Sequence, residues 1–375
     1  MFGRDGVTFN ILFVSGTVRS LAPFVLSILD ASADCSIRLV SNGCTAHENQ
    51  ILESMASAER RLSFCRIETK RPLDHGVVLS LLQNHNESPV FAFMDSDIFA
   101  TGDFLKELNW SPADSAGIFS CPPAWSNAEL ERLPQGYGIL SGVYSQLHDG
   151  FNVGSSFFAM YDNKLLTQCM KETGITFQPY LWEQVPPDLQ TELVETGKQM
   201  AFYDTGKLLN ILLQLRYDAS IEFRQCESLE HLGGISGFKL SRTRELYGLL
   251  QCAWSSVLPR GVRHLFRWAG MYNGWREMVS DAEARWVDAR HSRRRQVVDY
   301  YSRLLRCLAE NKMLGFEFEH RDAAMTRAVS RVADLLRDGY PGWQRRIRAL
   351  VQTSQGAERR NLEPAQISFE CQKAA

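Results

Sequence analysis

The sequence predicts an α/β protein with a mostly parallel central sheet, flanked by helices and followed by a helical C-terminal extension. The first observation is that short apolar strands alternate with helical segments over residues 8–100, as in βαβ units. The second is the composition, because 45% of the 375 residues are hydrophobic and 22% are charged, as in an ordinary globular protein. The third is a change after about Leu240 to arginine-rich helical segments.

Each predicted element follows from a short pattern in the chain. Residues 8–15 (TFNILFVS) form an apolar strand that runs into Gly16-Thr17, and a helix follows over residues 23–30. Elsewhere, apolar runs bounded by turn residues predict strands, and apolar residues at helical spacing predict helices. The further predictions are strands at 36–40, 64–67, 90–94 and 154–161 and helices at 47–57, 76–84, 204–215, 285–310 and 321–337.

The most informative stretch is residues 90–99 (VFAFMDSDIF), where an apolar strand ends in two carboxylates, Asp95 and Asp97. The i, i+2 spacing on an extended chain places both side chains on one face. Burying two carboxylates without a partner is costly, so a divalent cation is their natural companion. Ligands of parallel α/β sheets bind at the carboxyl ends of strands, which is where this pair lies. The pattern therefore predicts an active site.

Other features narrow the class of protein. The chain contains neither a G-x-G-x-x-G nor a G-x-x-x-x-G-K-[ST] motif, which argues against a dinucleotide oxidoreductase and a P-loop enzyme. The N-terminal residues lack the layout of a signal peptide, and no apolar run approaches the roughly 20 residues of a membrane span. The 9 cysteines are scattered singly, which is typical of reduced thiols. We therefore predict a cytoplasmic protein, which could still be peripheral at the inner membrane surface.

Charge is distributed unevenly along the chain. Residues 1–240 hold 17 Lys and Arg against 28 Asp and Glu, whereas the remainder holds 24 against 15. The basic helices have three interpretations: they attract an anionic acceptor or acidic lipid headgroups, they bind nucleic acid, or they present solvated faces while packing on the catalytic domain. We favour packing and disfavour nucleic acid. The arginines concerned are Arg290, Arg293, Arg294, Arg295, Arg345, Arg346 and Arg348, and the interleaved apolar residues are Val297, Val298, Tyr301, Leu304, Leu305 and Leu308.

Several segments in order give the chain a family resemblance. It resembles nucleotide-sugar glycosyltransferases of the GT-A fold over roughly residues 8–240, leaving the C-terminal third uncovered. The segments that carry the resemblance are VSGT (14–17), His75-Gly76, MDSD (94–97), FNVGSSFF (151–158), YDTGKLLN (203–210) and HLGG (231–234).

The resemblance implies a metal site. Asp97 would ligate Mn²⁺ or Mg²⁺ on the donor diphosphate, Asp95 would contact the ribose or the metal, and His231 would complete the site. Gly233 would let backbone approach a pyrophosphate. Lys239 would supply charge for the β-phosphate, although its spacing departs from the family's H-x-G-x-x-K pattern. The competing interpretations are a capped strand end for the aspartates and a structural histidine.

The resemblance also implies a nucleotide pocket. Ser15, Gly16 and Thr17 would line the base and ribose, and Arg19 would reach a phosphate. His75 would lie against the nucleotide, or would only begin a helix. The family's Asn-x-Gly strand start corresponds to Asn152-Val153-Gly154, so Asn152 would face the donor or acceptor sugar, with a simple turn as the alternative.

Two carboxylates are catalytic candidates. Asp204 resembles the acidic residue beneath the sugar site that binds sugar hydroxyls or, in inverting members, serves as base, and it would also suit the N-cap of a helix. Glu183 follows Trp182, and an acid beside a large aromatic can be desolvated and its pKa raised. The resemblance does not decide between retention and inversion of the anomeric configuration.

These observations predict three regions: a GT-A-like catalytic domain over 6–245, a helical arginine-rich extension over 246–352 and a disordered tail over 353–375. The predicted function is metal-dependent transfer of a sugar, of the hexosyltransferase type, from a nucleoside diphosphate sugar, with UDP favoured, to a hydroxyl acceptor. That acceptor could be a glycan, a lipid-linked molecule or a small molecule. The alternatives are a sugar nucleotidyltransferase, for which Gly16-Thr17-Val18-Arg19 is a poor phosphate loop, and a catalytically inactive GT-A-like binding protein.

Overall fold

The structure is a computed structural model, and it describes most of the chain. All statements below refer to the described residues, which are 6–69, 71–121, 123, 125–126, 131–142, 144–235, 280–312, 314–356 and 365–367.

An eight-stranded sheet forms the centre of the molecule, in the order β11-β6-β8-β4-β1-β2-β3-β13. Only β8 runs antiparallel to its neighbours β4 and β6, so the sheet is mostly parallel and the predicted fold class is confirmed. Apolar strands such as β1 and β4 are buried along their length because helices cover both faces. The strands are β1 (Val7–Val14), β2 (Cys35–Asn42), β3 (Leu62–Ile67), β4 (Val90–Asp95), β6 (Gly117–Phe119), β8 (Phe158–Asp162), β11 (Ile221–Phe223) and β13 (Ala365–Ile367).

Helices connect and cover these strands. The helices α1 (Val18–Ala31), α2 (Ala46–Ala58) and α3 (His75–Asn84) lie between the first four strands, as predicted. Helix α7 (Lys207–Tyr217) begins three residues later than predicted, because Gly206 at φ +75° is its N-cap. The remaining helices are α4 (Phe104–Leu108), α5 (Asn163–Thr173), α6 (Pro187–Glu195), α8 (Asp281–Ala309) and α9 (Ala323–Gly356). None of the described helices has the length and apolarity needed to cross a membrane.

A small two-stranded sheet lies beside the carboxyl end of β4. It joins β5 (Ile98–Ala100), which follows the Asp-x-Asp turn, to β12 (Leu229–His231) in antiparallel register, with His231 opposite Ile98. A third sheet contains β7 (Ile139–Leu140), β9 (Tyr180–Leu181) and β10 (Phe202–Tyr203). The pairing of β5 with β12 brings residues 230 and 231 to the aspartates despite their distance in the sequence.

The C-terminal helices share the main hydrophobic core with the sheet. On α9, Tyr340 and Trp343 pack edge-on against Phe24 of α1 with ring centroids 5.9 and 6.2 Å apart, and Phe99 packs against Phe24 at 5.4 Å. Along α8, the predicted apolar face is confirmed, with Val297, Val298, Tyr301, Leu304 and Leu305 buried and Leu308 partly buried. The C-terminal helices therefore share one hydrophobic core with the central sheet.

Two short parts of the segment predicted as a disordered tail have secondary structure. Residues 353–356 continue α9, and β13 pairs in parallel with β3 at the edge of the central sheet. The C-terminal segment thus supplies an edge strand, a long-range pairing that local composition does not reveal.

Truncating Phe24 should destabilise the whole molecule. Its ring is 1% exposed and lies between α1, β5 and α9, so we expect Phe24→Ala to lower the free energy of unfolding by about 3–5 kcal/mol. Calorimetric melting should still give one transition, because α9 and the sheet share this cluster. Phe316→Ala, at an aromatic that is 45% exposed, is the control and should change little. A separate melting step for the C-terminal helices would contradict a shared core.

Candidate active site

Three side chains converge at the carboxyl end of β4. Asp95 ends the strand, Asp97 lies in the turn before β5, and His231 ends β12. One ligand atom from each lies within 4.8 Å of the others. His231 Nε2 is 3.3 Å from Asp97 Oδ1 and 3.7 Å from Asp95 Oδ2. The structure therefore brings together the three residues that the resemblance assigned to a metal.

Hydrogen bonds fix the orientation of this cluster. Asp97 Oδ2 accepts the backbone N–H groups of Gly234 at 2.7 Å and Ile235 at 2.9 Å. His231 Nδ1 lies 3.2 Å from the carbonyl oxygen of Cys121, so Nδ1 carries the proton and donates it there. The His231 ring also packs on Phe157 at 5.0 Å. Nε2 is then the ring atom that faces the carboxylates.

The pKa values in the cluster diverge. Burial and the charge of Asp97 raise the pKa of Asp95 to about 7. Burial alone would also raise the pKa of Asp97, but His231 and the two backbone N–H donors lower it to about 2. The His231 pKa is raised because the attraction of Asp97 and Asp95 outweighs the effect of burial. One carboxylate is thus held ionised while its neighbour is poised between charge states.

The cluster fits a divalent cation. Asp97 Oδ1 and His231 Nε2 are buried, and neither has a hydrogen-bond partner among the described residues. Leaving such atoms unpaired is costly, and two carboxylates with one imidazole form a donor set suited to Mn²⁺ or Mg²⁺. The Nδ1–H donated to a carbonyl is the usual support for a metal-binding histidine.

A cavity of about 190 Å³ adjoins this cluster, and Asp204 lies in its wall. Asp204 Oδ2 accepts the N–H of Gly142 at 2.6 Å, and Oδ1 accepts the N–H of Thr205 at 2.8 Å. Its carboxylate is therefore fixed in place, and it does not cap α7, whose N-cap is Gly206. The cap alternative for Asp204 is wrong, because α7 starts too late for it.

The glycine pair after His231 also lines the cavity. Gly233 has φ +81°, and a Cβ there would lie 2.2 Å from Trp125 Nε1, which donates to the Gly233 carbonyl at 2.7 Å. Gly234 has φ +109°, and a Cβ would collide with Arg294. Only glycine fits both positions. Lys239, the predicted phosphate contact, lies outside the described residues.

Helix α8 closes the other side of the cavity with Trp286, Arg290 and Arg294. The Arg294 pKa is lowered by burial and supported by Asp97, Asp95 and Asp204, which places its charge near all three carboxylates. From the sequence, Arg290 and Arg294 could be assigned only to a basic helix. No sequence pattern identified Trp125, in a loop, or Trp286, on the arginine-rich helix, as a cavity residue.

His75 lies on the opposite side of Asp95. It is the first residue of α3, and its Nε2 is 4.0 Å from Asp95 Oδ1. The His75 ring packs against Phe93, with ring centroids 6.2 Å apart. Burial lowers the His75 pKa to about 4. His75 is thus a neutral imidazole beside the carboxylate, where it can contact a ligand that reaches Asp95.

The predicted nucleotide turn has an acidic partner. The Gly16 N–H donates to Glu48 Oε1 at 2.7 Å, and Glu48 also accepts the Thr45 N–H in a capping box at the start of α2. Thr17 Oγ1 donates to the carbonyl of Val14. A carboxylate here suits a ribose hydroxyl and opposes a phosphate, which argues against the nucleotidyltransferase alternative. The Thr45-x-x-Glu48 spacing is the signal that could have found Glu48.

Four further predicted site residues do not line the cavity. Ser15 is half-buried directly after β1, and Arg19 is exposed near the start of α1. Asn152 donates from Nδ2 to the Ile221 carbonyl and accepts from Gln146, so its amide holds loops together. Glu183 is exposed in a short 3-10 helix, so the expected desolvation beside Trp182 is absent. The structure gives Asn152 and Glu183 no contact with this cavity.

Lys207 is a buried cation beneath the site. Its side chain is fully buried, and Nζ donates to the carbonyls of Tyr144 and Gly154. Burial lowers its pKa from 10.5 to about 7, although Asp204 opposes the shift. A neutral amine can still donate both hydrogen bonds, so the site tolerates loss of the charge.

This shift predicts a pH-dependent stability. Between about pH 7 and about pH 10 the unfolded chain protonates this lysine and the folded protein does not, so folding becomes more favourable as pH rises. Relative to Lys207→Met, the wild type should gain about 1 kcal/mol per pH unit in unfolding free energy across this window. Denaturant titrations at several pH values measure it, with exposed Lys164→Met as control. A difference that is constant with pH would contradict the lowered pKa.

Comparisons with known proteins give structural neighbours only. Neither protein-family models nor curated protein sequences match the chain. Among solved structures it is similar to the mannosyltransferase PcManGT from Pyrobaculum calidifontis in complex with GDP-Man and Mn²⁺, with 11% identity, a TM-score of 0.39 and coverage of 93% of this chain and 85% of that one. It is also similar to TarS 1-349 from S. aureus (14% identity, TM-score 0.36, coverage 89% and 92%) and to the glycosyltransferase GlyE of Streptococcus pneumoniae TIGR4 (11%, 0.33, 59% and 45%). The chain thus spans less than half the length of GlyE.

Proposed function

We propose that this protein is a metal-dependent glycosyltransferase. It transfers a sugar from a nucleoside diphosphate sugar, with UDP as the favoured nucleotide, to a hydroxyl group of an acceptor. The observation that carries the proposal is the cluster of Asp95, Asp97 and His231, in which Asp97 Oδ1 and His231 Nε2 are buried without a hydrogen-bond partner among the described residues. A third carboxylate, Asp204, faces the same cavity.

The cluster has the properties that release of a nucleoside diphosphate requires. Asp97 and His231, with Asp95 beside them, would hold Mn²⁺ or Mg²⁺, and a bound ion of this kind stabilises negative charge on the leaving diphosphate. The backbone N–H groups of Gly234 and Ile235 hold the Asp97 carboxylate, so its orientation does not depend on the ligand. Arg294 adds a fixed positive charge to the same cavity.

The size of the cavity suggests which part of the donor it holds. At about 190 Å³ it is smaller than the roughly 300 Å³ or more of pockets that hold drug-sized ligands, so it suits the transferred sugar. The nucleotide would lie on the far side of Asp95, toward His75 and the Ser15-Gly16-Thr17 turn with Glu48. Asp204 would then accept hydrogen bonds from sugar or acceptor hydroxyls at the cavity wall.

Hydrolysis of a panel of nucleotide sugars tests this function. The panel should include UDP-glucose, UDP-galactose, UDP-N-acetylglucosamine and GDP-mannose, each with Mn²⁺, with Mg²⁺ and with EDTA. We expect slow, metal-dependent release of a nucleoside diphosphate from one of them, detected by chromatography. Release of pyrophosphate would indicate the nucleotidyltransferase alternative. Absence of any calorimetric binding signal for nucleoside diphosphates in Mn²⁺ would indicate an inactive binding protein.

A further inference from the structure

We propose that the acceptor carries a phosphate group, which binds in a groove that leads from the cavity along α8. This inference rests on the function proposed above and names the class of its second substrate. The residues that define the groove are Arg290, Arg293 and Arg321, and we call it the arginine groove.

The groove is continuous with the catalytic cavity. A second cavity of about 240 Å³ shares Trp125, Trp286 and Arg290 with the first and adds Arg293 and Arg321. Arg293 and Arg321 also line a third cavity that is wider and more open to solvent. A molecule that enters from the surface along α8 would therefore pass these arginines before it reaches Asp204.

The charges in the groove favour an anion. Arg290, Arg293 and Arg294 recur at i, i+3 and i+4, so their like charges lie on one face of α8, an arrangement that is unfavourable without counter-charge. Glu131 pairs with Arg290, and Glu319 is the other carboxylate lining the outer groove. Arg290 Nη1 is nevertheless buried without a hydrogen-bond partner among the described residues. An unpaired buried donor on a cation indicates a site for an anionic ligand.

Aromatic rings hold the Arg290 guanidinium in place. Trp286 stacks on Tyr144 with centroids 5.1 Å apart and planes at 12°, and the Arg290 guanidinium lies 4.2 Å above the Trp286 ring. The stacked rings therefore orient Arg290 toward the groove that it lines. A guanidinium group binds phosphate through two parallel hydrogen bonds, and a neutral acceptor has no anionic group that could form this pair.

The groove is distinct from the place of the donor diphosphate. Asp95 and His231 line the first cavity together with Arg294, whereas the second cavity is lined by none of the three metal-cluster residues. A diphosphate held at the cluster would therefore be served by Arg294. Arg293 and Arg321 line only the second cavity and the outer groove, where they can bind a different ligand, and the acceptor is the remaining substrate of a transferase.

Binding of phosphate can be measured without any turnover. We would follow ³¹P NMR line broadening of inorganic phosphate in the presence of EDTA, so that no metal-bound phosphate contributes. Arg293→Gln and Arg321→Gln should each weaken binding by about tenfold, because each removes a charged donor. Arg303→Gln is the matched control, since Arg303 lies on the same helix with a half-exposed side chain paired to Asp299. Melting temperatures verify that the variants fold.

A second experiment identifies the source of the phosphate. Transfer to glycerol and to glycerol 3-phosphate is compared, and flotation with phosphatidylcholine vesicles is compared with vesicles that also contain phosphatidylglycerol. Preferred transfer to glycerol 3-phosphate supports a soluble phosphate acceptor, and phosphatidylglycerol-dependent flotation supports a lipid-linked one. Either preference must be lost in Arg293→Gln with the donor KM unchanged.

The outcomes separate this inference from the function on which it rests. Donor hydrolysis with no phosphate binding, no flotation and no preference for glycerol 3-phosphate would overturn the phosphate acceptor and leave the transferase intact. Phosphate binding that Arg293→Gln and Arg321→Gln do not weaken would also overturn it. Groove-dependent phosphate binding without donor hydrolysis would support the groove and refute the transferase.

Discussion

Asp97→Asn should abolish metal binding and lower the rate of donor hydrolysis by about a thousandfold or more, equivalent to about 4 kcal/mol of lost stabilisation. Asparagine is close to the same size, and its carbonyl oxygen can still accept the N–H groups of Gly234 and Ile235. The amide nitrogen would then face His231 Nε2, which can accept its hydrogen. The fold should therefore persist while an anionic ligand is lost. Mn²⁺ binding by electron paramagnetic resonance and hydrolysis assays measure the two effects.

The matched control for this substitution is Asp103→Asn. Asp103 caps α4 by accepting the Lys106 N–H, and asparagine caps helices equally well, so the same chemical change away from the site should alter neither readout. The melting temperature of Asp97→Asn without metal should fall modestly, because His231 and two backbone N–H donors outweigh burial and lower the pKa of Asp97 to about 2, so the fold stabilises this carboxylate. Undiminished, metal-independent hydrolysis by Asp97→Asn would refute the metal site.

Local sequence patterns were enough for the first four strands of the sheet and for two of the three residues of the candidate metal cluster. The Asp95 and Asp97 pair could be found because an apolar strand ending in i, i+2 carboxylates is a short-range signal. The early strands and helices have the same local origin. His231 required the family resemblance, since its approach to Asp97 depends on the pairing of β5 with β12. No periodicity within one segment encodes that pairing.

Asn152 and Glu183, two predicted site residues, have environments that depend on the tertiary structure. Asn152 looked like a sugar contact, but Gln146 and the Ile221 carbonyl, 69 residues away, take its amide. The case for Glu183 assumed that Trp182 would shield it, and the fold leaves it exposed. Whether a polar side chain is free for a ligand is decided by which distant backbone groups it satisfies.

The roles of the arginines in the C-terminal helices could not be assigned from the sequence alone. Its basic composition allowed three interpretations, and the structure supports a division of the arginines between two roles. Arg346 forms an ion pair with Asp30, and Arg348 donates to the Ala309 carbonyl, so these positions contribute to packing. Arg290 and Arg294 enter the cavity. Helical spacing places Arg290 and Arg294 on one face, but only the docking of α8 shows that this face lines the cavity of the candidate active site.

Asp204→Asn should lower the rate of sugar transfer by about a hundredfold or more while metal affinity stays unchanged. Asp204 lines the cavity but is outside the metal cluster, so its loss affects hydroxyl binding or proton transfer. Both of its oxygens accept backbone N–H groups, from Gly142 and Thr205, and an asparagine can replace only one of these bonds. We therefore also expect a stability loss of about 1–3 kcal/mol.

Asp218→Asn is the control, because Asp218 is exposed at the other end of α7 in a left-handed conformation that asparagine adopts readily. Unchanged transfer would exclude Asp204 from the reaction, and a parallel loss of Mn²⁺ affinity would mean that it supports the metal cluster instead.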